Sequence, residues 1–150
     1  MEKARKSRVG ASGRRTSLMD IGSEPGQGGT RATVLVVEDD PSLRLLTRVN
    51  LELEQYHVLE AESIDRAEEL LRAEHVHVVL LDLHVGERHG YELLPLLREQ
   101  YPNTGVCLLS GTSEGDPPKE EGVVFIRKPF DLEVLSQTVR MLVAGEPATP

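Results

Sequence analysis

The sequence predicts an α/β fold, in which a parallel β-sheet lies between two layers of helices. Apolar, β-branched stretches alternate along the chain with segments whose apolar residues recur every three or four positions. The clearest strands are apolar throughout, as expected for strands that are buried on both faces. At 150 residues, the chain has the length of one domain with a sizeable core. We therefore expect five strand–helix units with right-handed crossovers in an α/β three-layer sandwich.

Five stretches have the composition of buried strands, and the second of them is the weakest. By number they are 33–38, 57–61, 76–81, 105–109 and 123–126. Helix candidates lie between them. Asp40 suits an N-cap and Pro41 the first helical position, which predicts where the first helix begins. Apolar residues at helical spacing indicate the apolar face of this helix: Leu43, Leu46, Val49 and Leu53.

The remaining helices have similar signals. Ser63 and Asp131 are N-cap candidates for two further helices. The third helix candidate is interrupted early by Pro95. The polar stretch 112–122 contains Pro117 and Pro118 and is a poor helix former, although it occupies the place of the fourth helix.

Composition divides the chain into three parts. We interpret residues 1–31 as a disordered basic and glycine-rich tail, 32–144 as the folded domain and 145–150 as a disordered C-terminal end. After residue 32 the chain has ten basic and 22 acidic residues. This negative charge favours cation binding and argues against direct binding of DNA. A role for the basic tail in binding nucleic acid, a membrane surface or an acidic partner stays open.

The single cysteine indicates the compartment. Cys107 lies in an apolar stretch and has no second cysteine with which to form an internal disulfide. The sequence also has no apolar run of the length of a membrane span and no secretion signal at its N-terminus. We therefore expect a cytoplasmic protein without a membrane span.

Polar residues suited to phosphoryl chemistry follow four of the predicted strands. Asp39 and Asp40 follow the first strand, Asp82 the third, Ser110 the fourth and Lys128 the fifth. The carboxyl ends of parallel strands share one edge of the sheet, so we expect these side chains to meet there. Three carboxylates held together need a cation between them, and their oxygens suit Mg²⁺ or Mn²⁺. A hydroxyl and an ammonium suit the oxygens of a phosphoryl group.

At these residues the chain resembles the receiver domain of two-component response regulators. The matching motifs are V-V-E-D-D-P-S, then L-L-D-L with H-G ending eight residues after Asp82, then L-L-S-G and K-P-F. The resemblance covers about residues 33–143. It implies a flavodoxin-like (βα)5 fold with strand order 2-1-3-4-5.

The resemblance also implies a function. Asp82 would be the phosphoacceptor, which takes a phosphoryl group from a histidine kinase or a histidine phosphotransfer protein. Mg²⁺ would be held by Asp39, Asp40, Asp82 and the backbone carbonyl of His84. Ser110 and Lys128 would bind the phosphoryl oxygens, and Phe125 would be the switch aromatic that moves with Ser110. Such a protein signals by a conformational switch and by contact with a downstream protein whose identity the sequence does not give.

Two departures from the family pattern affect these expectations. Gly86 stands where proline is usual, so the loop after Asp82 is expected to be looser. The segment between Ser110 and Lys128 is about one helical turn shorter than usual, so we expect a shortened or irregular fourth helix. That helix forms part of the usual output face, which weakens any inference about the downstream partner.

Two other functions remain as alternatives. One is a receiver-like docking module that is never phosphorylated, although every side chain required for phosphorylation is present. The other is an aspartate-dependent phosphohydrolase, but such enzymes have an acid two residues after the nucleophile, where this chain has His84. A histidine metal site at His84 and His89 is disfavoured, because the spacing matches no zinc signature. We therefore expect a signalling switch rather than a turnover enzyme.

Overall fold

The computed structural model describes residues 31–111 and 122–145, which contain a five-stranded parallel sheet. Numbered along the chain, its strands are β1 (Thr33–Val37), β2 (His57–Ala61), β3 (Val78–Asp82), β4 (Gly105–Ser110) and β5 (Val123–Arg127). Their order in the sheet is β2-β1-β3-β4-β5, and every neighbouring pair is parallel. The predicted fold class and strand order are confirmed.

In the described residues, helices follow four of the five strands. They are α1 (Pro41–Leu53), α2 (Ile64–Ala73), a 3₁₀-helix (Gly90–Leu93) that leads into α3 (Leu94–Gln100), and α4 (Leu132–Val143). The expected irregular fourth helix falls almost entirely on residues 112–121, outside the described residues. The predicted tail and C-terminal end likewise fall on residues 1–30 and 146–150, so the three-part division of the chain stays a prediction. None of the described helices is long and apolar enough to cross a membrane.

The predicted helix starts are confirmed by their caps. The Asp40 carboxylate accepts a hydrogen bond from the backbone N–H of Ser42 at 2.9 Å, and Ser63 and Asp131 cap α2 and α4 in the same way. Pro95 lies in the first turn of α3. Backbone N–H groups in the first turn make no hydrogen bond within the helix, so the missing N–H of proline costs nothing there. Pro95 therefore separates the 3₁₀-helix from the α-helix instead of interrupting one continuous helix.

Side chains of the strands alternate between two apolar cores, one on each face of the sheet. In β1, Val34 and Val36 pack with Leu51 of α1 and with Leu135 and Val139 of α4. The other side chains of the strand point into a second core with residues of α2 and α3: Leu35, Val37, Ile64, Leu71, Leu94 and Leu97. The helices therefore lie in two layers, with α1 and α4 on one face and α2 and α3 on the other.

The apolar face predicted for α1 is wrong, because most of it faces solvent. The exposed fraction is 50% for Leu46, 42% for Val49 and 76% for Leu53, whereas Thr47 and Leu51 are buried. Leu46, Val49 and Leu53 thus form an apolar stripe on α1 that no described part of the chain covers.

Polar contacts explain the rotation of α1. Arg44 donates from Nη1 to the backbone carbonyl of Glu38 at 2.8 Å, at the end of β1. Asn50 donates to the Ser136 hydroxyl of α4 at 3.0 Å. These two contacts hold the side of α1 that carries Thr47 and Leu51 against the sheet and α4, so the apolar stripe points away from them.

After β3 the chain forms a short antiparallel hairpin that the sequence analysis did not predict. Its two strands are His84–Val85 and Arg88–His89, and Gly86 in the turn has a φ of +64°. Glycine adopts this left-handed backbone conformation without the steric cost that other residues have.

Gly90, which follows the hairpin, packs directly against the backbone of Asp82. Its N–H donates to the Leu83 carbonyl at 2.6 Å. A Cβ added at this position would collide with the carbonyl oxygen of Asp82 and lie 3.2 Å from Cγ of Leu81. Only glycine lets the start of the 3₁₀-helix approach the end of β3 this closely.

We predict that Gly90→Ala lowers the free energy of unfolding by about 2–3 kcal/mol, because the backbone of β3 or of the 3₁₀-helix must shift. Urea unfolding of the full chain measures the change. Gly122→Ala is the matched control, since its Cβ meets no atom within 4 Å and has only its φ of +80° to accommodate. That control should lose about 1 kcal/mol, and an equal loss in both variants would contradict the packing argument.

Candidate functional site

The carboxyl ends of three neighbouring strands bring polar side chains to one edge of the sheet. Glu38 directly follows β1, Asp82 ends β3 and Ser110 ends β4. Their exposed fractions are only 3%, 6% and 2%, so each is almost fully removed from solvent. Buried polar groups of this kind require partners, because desolvation without them is costly.

Lys128, which follows β5, provides the positive charge at this edge. Its ammonium nitrogen lies 3.2 Å from Oε1 of Glu38 and 3.2 Å from Oδ1 of Asp82. The backbone N–H of Lys128 donates to the Ser110 carbonyl at 2.6 Å, and the Lys128–Pro129 peptide bond is cis. The structure thus brings Asp82, Ser110 and Lys128 together, as the sequence analysis expected.

A cluster of three carboxylates lies beside this ammonium, and its membership differs from the predicted one. Glu38, Asp39 and Asp82 each offer an oxygen atom, and these three atoms lie within 4.8 Å of one another. Asp40 is not part of the cluster; its carboxylate caps α1 and is exposed. The structure therefore groups Glu38, Asp39 and Asp82, and the metal role predicted for Asp39, Asp40 and Asp82 stays a prediction.

The sequence contained a signal for the position of Asp40. Asp40 precedes a proline at the first helical position, which is the position of an N-cap. Its carboxylate therefore bonds to the first turn of α1 and does not face the sheet edge. Glu38 was counted as the last residue of a strand, but β1 ends at Val37. The first and second residues after β1, Glu38 and Asp39, thus supply carboxylates to the cluster, whereas the third residue, Asp40, does not.

The remaining predicted residues lie on β4, on β5 and in the hairpin after β3. The Ser110 hydroxyl donates to the Gly111 carbonyl at 3.2 Å. Phe125 of β5 is half-buried and packs against the core beneath α2 and α3. His84 begins the hairpin, and its ring centroid lies 5.0 Å from that of His89. The His84 carbonyl as a metal ligand, and the switch role of Ser110 and Phe125, stay predictions.

Burial and mutual repulsion alter the ionisation of the cluster. Burial, together with the nearby charge of Asp82, raises the pKa of Glu38 to about 7. Burial alone would lower the pKa of Lys128, but the carboxylates of Asp82 and Glu38 outweigh it and raise that pKa. Three ionised carboxylates and one ammonium have a formal charge of −2, so a divalent cation would balance the group.

The donor set fits Mg²⁺. Octahedral Mg²⁺ with ligands at about 2.1 Å places neighbouring oxygens about 3 Å apart and opposite ones about 4 Å apart. Three carboxylate oxygens within 4.8 Å of one another approach this spacing with small side-chain adjustments. Hard oxygen ligands favour Mg²⁺ or Mn²⁺ over the softer transition metals.

Comparison with known proteins agrees with this geometry. The family description of the response regulator receiver domain matches residues 34–140. The chain is 34% identical over 114 residues to the transcriptional regulatory protein GlrR of Escherichia coli. The matched segment covers 72% of this chain and 25% of GlrR. It is also 34% identical over 106 residues to MalR of Bacillus subtilis, covering 67% of this chain and 45% of MalR. The chain thus spans from a quarter to under half of these relatives.

Solved structures share the fold. A CheY-like receiver domain protein from Methanospirillum hungatei superposes with a TM-score of 0.68 at 21% identity, covering 77% of this chain and 95% of that one. A response regulator from Thermotoga maritima superposes with a TM-score of 0.63 at 28% identity, covering 76% and 98% of the two chains.

We predict that the raised pKa of Glu38 makes the cation-free protein less stable at high pH. Because the folded pKa of about 7 exceeds the ordinary value of 4.5 for this carboxyl, this group's contribution is fully present below about pH 4.5 and is lost as the pH rises through 7. In EDTA, the free energy of unfolding should fall by about 1–3 kcal/mol more between about pH 5.5 and pH 8.5 than it does in Glu38→Gln.

Urea unfolding at several pH values measures this difference. Glu99→Gln removes an exposed carboxylate on α3 and should keep the slope of the native chain. If the slope with pH is the same in the native chain and in Glu38→Gln, the buried carboxylate does not carry the effect.

Proposed function

Because the chain belongs to the receiver domains of response regulators, we propose that it is a phosphoacceptor of a two-component system or phosphorelay. In this proposal it takes a phosphoryl group from a histidine kinase or a histidine phosphotransfer protein onto Asp82. The contact of the Lys128 ammonium with the carboxylates of both Asp82 and Glu38, each at 3.2 Å, supports it most directly.

The proposed step is an in-line transfer. A carboxylate oxygen of Asp82 forms a bond to phosphorus, the P–N bond to the donor imidazole breaks, and that nitrogen keeps the electron pair. A carboxylate approaches an anionic phosphoryl group only where positive charge offsets the repulsion. The Lys128 ammonium supplies part of this charge and then binds the phosphoryl oxygens together with the Ser110 hydroxyl.

A divalent cation supplies the rest of the positive charge when it is bound. We assign it to Glu38, Asp39 and Asp82, with the backbone carbonyl of His84 as a further ligand and water completing the shell. Mg²⁺ is the expected ion and Mn²⁺ fits the same donors. Deprotonation of Glu38 would accompany cation binding, which couples the two equilibria.

We assign the response to Ser110 and Phe125. Phosphorylation adds negative charge beside Lys128, and Ser110 is the last residue of β4, paired with Arg127 of β5. Phe125 lies two pairs earlier in the same strand pair and is only half-buried, so a movement of Ser110 and β5 can change its exposure. The changed surface would then bind a downstream protein, in keeping with a switch rather than a turnover enzyme. A cytoplasmic site of action is part of this proposal.

The exposed stripe of α1 suits the docking of the donor protein. This α1 stripe comprises Leu45, Leu46, Val49 and Leu53. The helix begins at Pro41, directly after the acidic residues, so its first turns border the phosphoacceptor edge. A donor that presents phosphohistidine to Asp82 must cover the surface around that edge, and exposed apolar residues there favour protein contact.

The relatives named as transcriptional regulators extend well beyond the matched segment, so their DNA-related names describe those longer proteins. The described part of this chain has an acidic receiver fold, which supports signalling by protein contact without direct DNA binding. The docking module and the phosphohydrolase remain the alternatives, and the labelling experiment below separates the first of them from our proposal.

We predict that a phosphorylated histidine kinase transfers its label to the native chain in Mg²⁺ but not to Asp82→Asn, which lacks the nucleophilic oxygen. Asp40→Asn is the matched control, because asparagine caps a helix as well as aspartate does. It should be labelled like the native chain. Transfer is measured by gel separation of the radiolabelled proteins.

Label that persists on Asp82→Asn would disprove the assignment of the phosphoacceptor. Absence of label on the native chain from every kinase and small phosphodonor tested would favour the docking module. Loss of label in Asp40→Asn would restore that residue to the cation site.

We predict that Leu46→Gln slows transfer from a histidine kinase by about tenfold, because it removes an apolar contact at the docking surface. Transfer from phosphoramidate, which needs no docking surface, should keep the native rate. Leu53→Gln is the control on the same stripe, about 10 Å further along the helix from the reactive edge, and should have a smaller effect. Equal slowing with both donors would mean that Leu46 acts on the site itself.

A further inference from the structure

The hairpin after β3 is tied to the acidic cluster by its turn. The backbone N–H of Gly86 donates to Oδ2 of Asp39 at 2.9 Å, across 47 positions of the chain. This is a contact between the main chain of the hairpin and one of the three cluster carboxylates. It joins two segments that the sheet itself does not connect.

A second, independent set of contacts joins the hairpin to α2 and to the 3₁₀-helix. Arg88 bonds to Asp65 in the first turn of α2 at 2.7 Å and to Glu92 of the 3₁₀-helix at 2.8 Å. The Arg88 contacts fix the position of the hairpin but do not touch the cluster. The bond from Gly86 and the ion pairs of Arg88 can therefore be removed separately by mutation.

The contact with Gly86 restricts the carboxylate of Asp39. A carboxylate has two oxygens with about four acceptor positions, so one N–H donor leaves the other oxygen for a cation. The N–H fixes the rotation of the group, as hydrogen bonds to metal-ligating carboxylates commonly do. Asp39 is exposed and has no burial to hold its side chain in place. Without the donor, it would lose entropy on binding the cation.

The residue type at position 86 is suited to this contact. Proline has no N–H to donate, and its ring fixes φ near −65°, far from the +64° found here. Glycine provides both the donor and the left-handed backbone conformation. A Cβ at this position would meet no atom within 4 Å, so no packing contact requires glycine.

We propose that the backbone N–H of Gly86 is a positioning group for Asp39, which sets the affinity of the Glu38, Asp39 and Asp82 cluster for Mg²⁺. This inference rests on the proposed function, because it takes the cluster as the cation site. It assigns a role in cation binding to a hairpin residue that makes no contribution to the phosphoryl chemistry.

The test is a Mg²⁺ titration of the full chain, followed by amide NMR shifts around Asp82, together with urea unfolding in EDTA. Gly86→Pro removes the N–H, whereas Gly86→Ala keeps it and has only the positive φ to accommodate. Gly86→Pro should bind Mg²⁺ about tenfold more weakly than Gly86→Ala. Replacement of residue 86 by glycolic acid through semisynthesis exchanges the N–H for an ester oxygen and gives the same comparison if the proline variant does not fold.

Arg88→Ala is the control for a loosened hairpin, because it keeps the N–H of Gly86. It should lower the free energy of unfolding without the tenfold loss of Mg²⁺ affinity. Equal Mg²⁺ affinity of the variants with and without the N–H would overturn the proposal, as would a tenfold loss in Arg88→Ala. A native chain whose amide shifts do not respond to Mg²⁺ contradicts the proposed function itself, whereas a response shared by all variants overturns only the role of Gly86.

Discussion

The strands of the sheet all run in the same direction, and every feature of the site depends on this alignment. Glu38 and Lys128 are 90 positions apart in the chain, yet their side chains bond at 3.2 Å because the carboxyl ends of their strands share an edge. The backbone register extends to that edge, pairing Asp82 with Leu109 and Ser110 with Arg127. The backbone positions of the reactive groups are thus held by main-chain hydrogen bonds, and only the Lys128 side chain reaches across the edge to join them.

This alignment also concentrates negative charge, which the fold tolerates at a cost in stability. Two of the carboxylates are nearly buried, and one ammonium does not neutralise three acids. The pKa of Glu38, raised to about 7 by burial and by Asp82, expresses that imbalance. A bound proton relieves it in the cation-free chain, and a divalent cation would relieve it more fully. The same electrostatic stress that destabilises the fold favours cation binding, and a bound cation would then offset the repulsion of an incoming phosphoryl group.

Packing around the site keeps Asp82 in place while leaving its neighbours accessible. Gly90 lies against the Asp82 carbonyl, and the hairpin between these two residues reaches across to Asp39. On the adjoining side, α1 turns its apolar stripe to solvent because Arg44 and Asn50 fix its other side. The edge therefore combines a firmly packed Asp82, the proposed phosphoacceptor, with an exposed apolar surface on α1.

Local sequence patterns predicted the strands and the helix caps, because apolar periodicity and capping act over a few residues. The predicted parallel sheet then placed Asp82, Ser110 and Lys128 at one edge. Tertiary contacts decided the rest. The sequence indicated that Asp40 caps α1, but it did not show that Glu38 joins the cluster, because this depends on where β1 ends. The exposed face of α1 and the bond from Gly86 to Asp39 were equally hidden. Both depend on partners tens of residues away, whose positions are set only when the sheet and its helices have packed together.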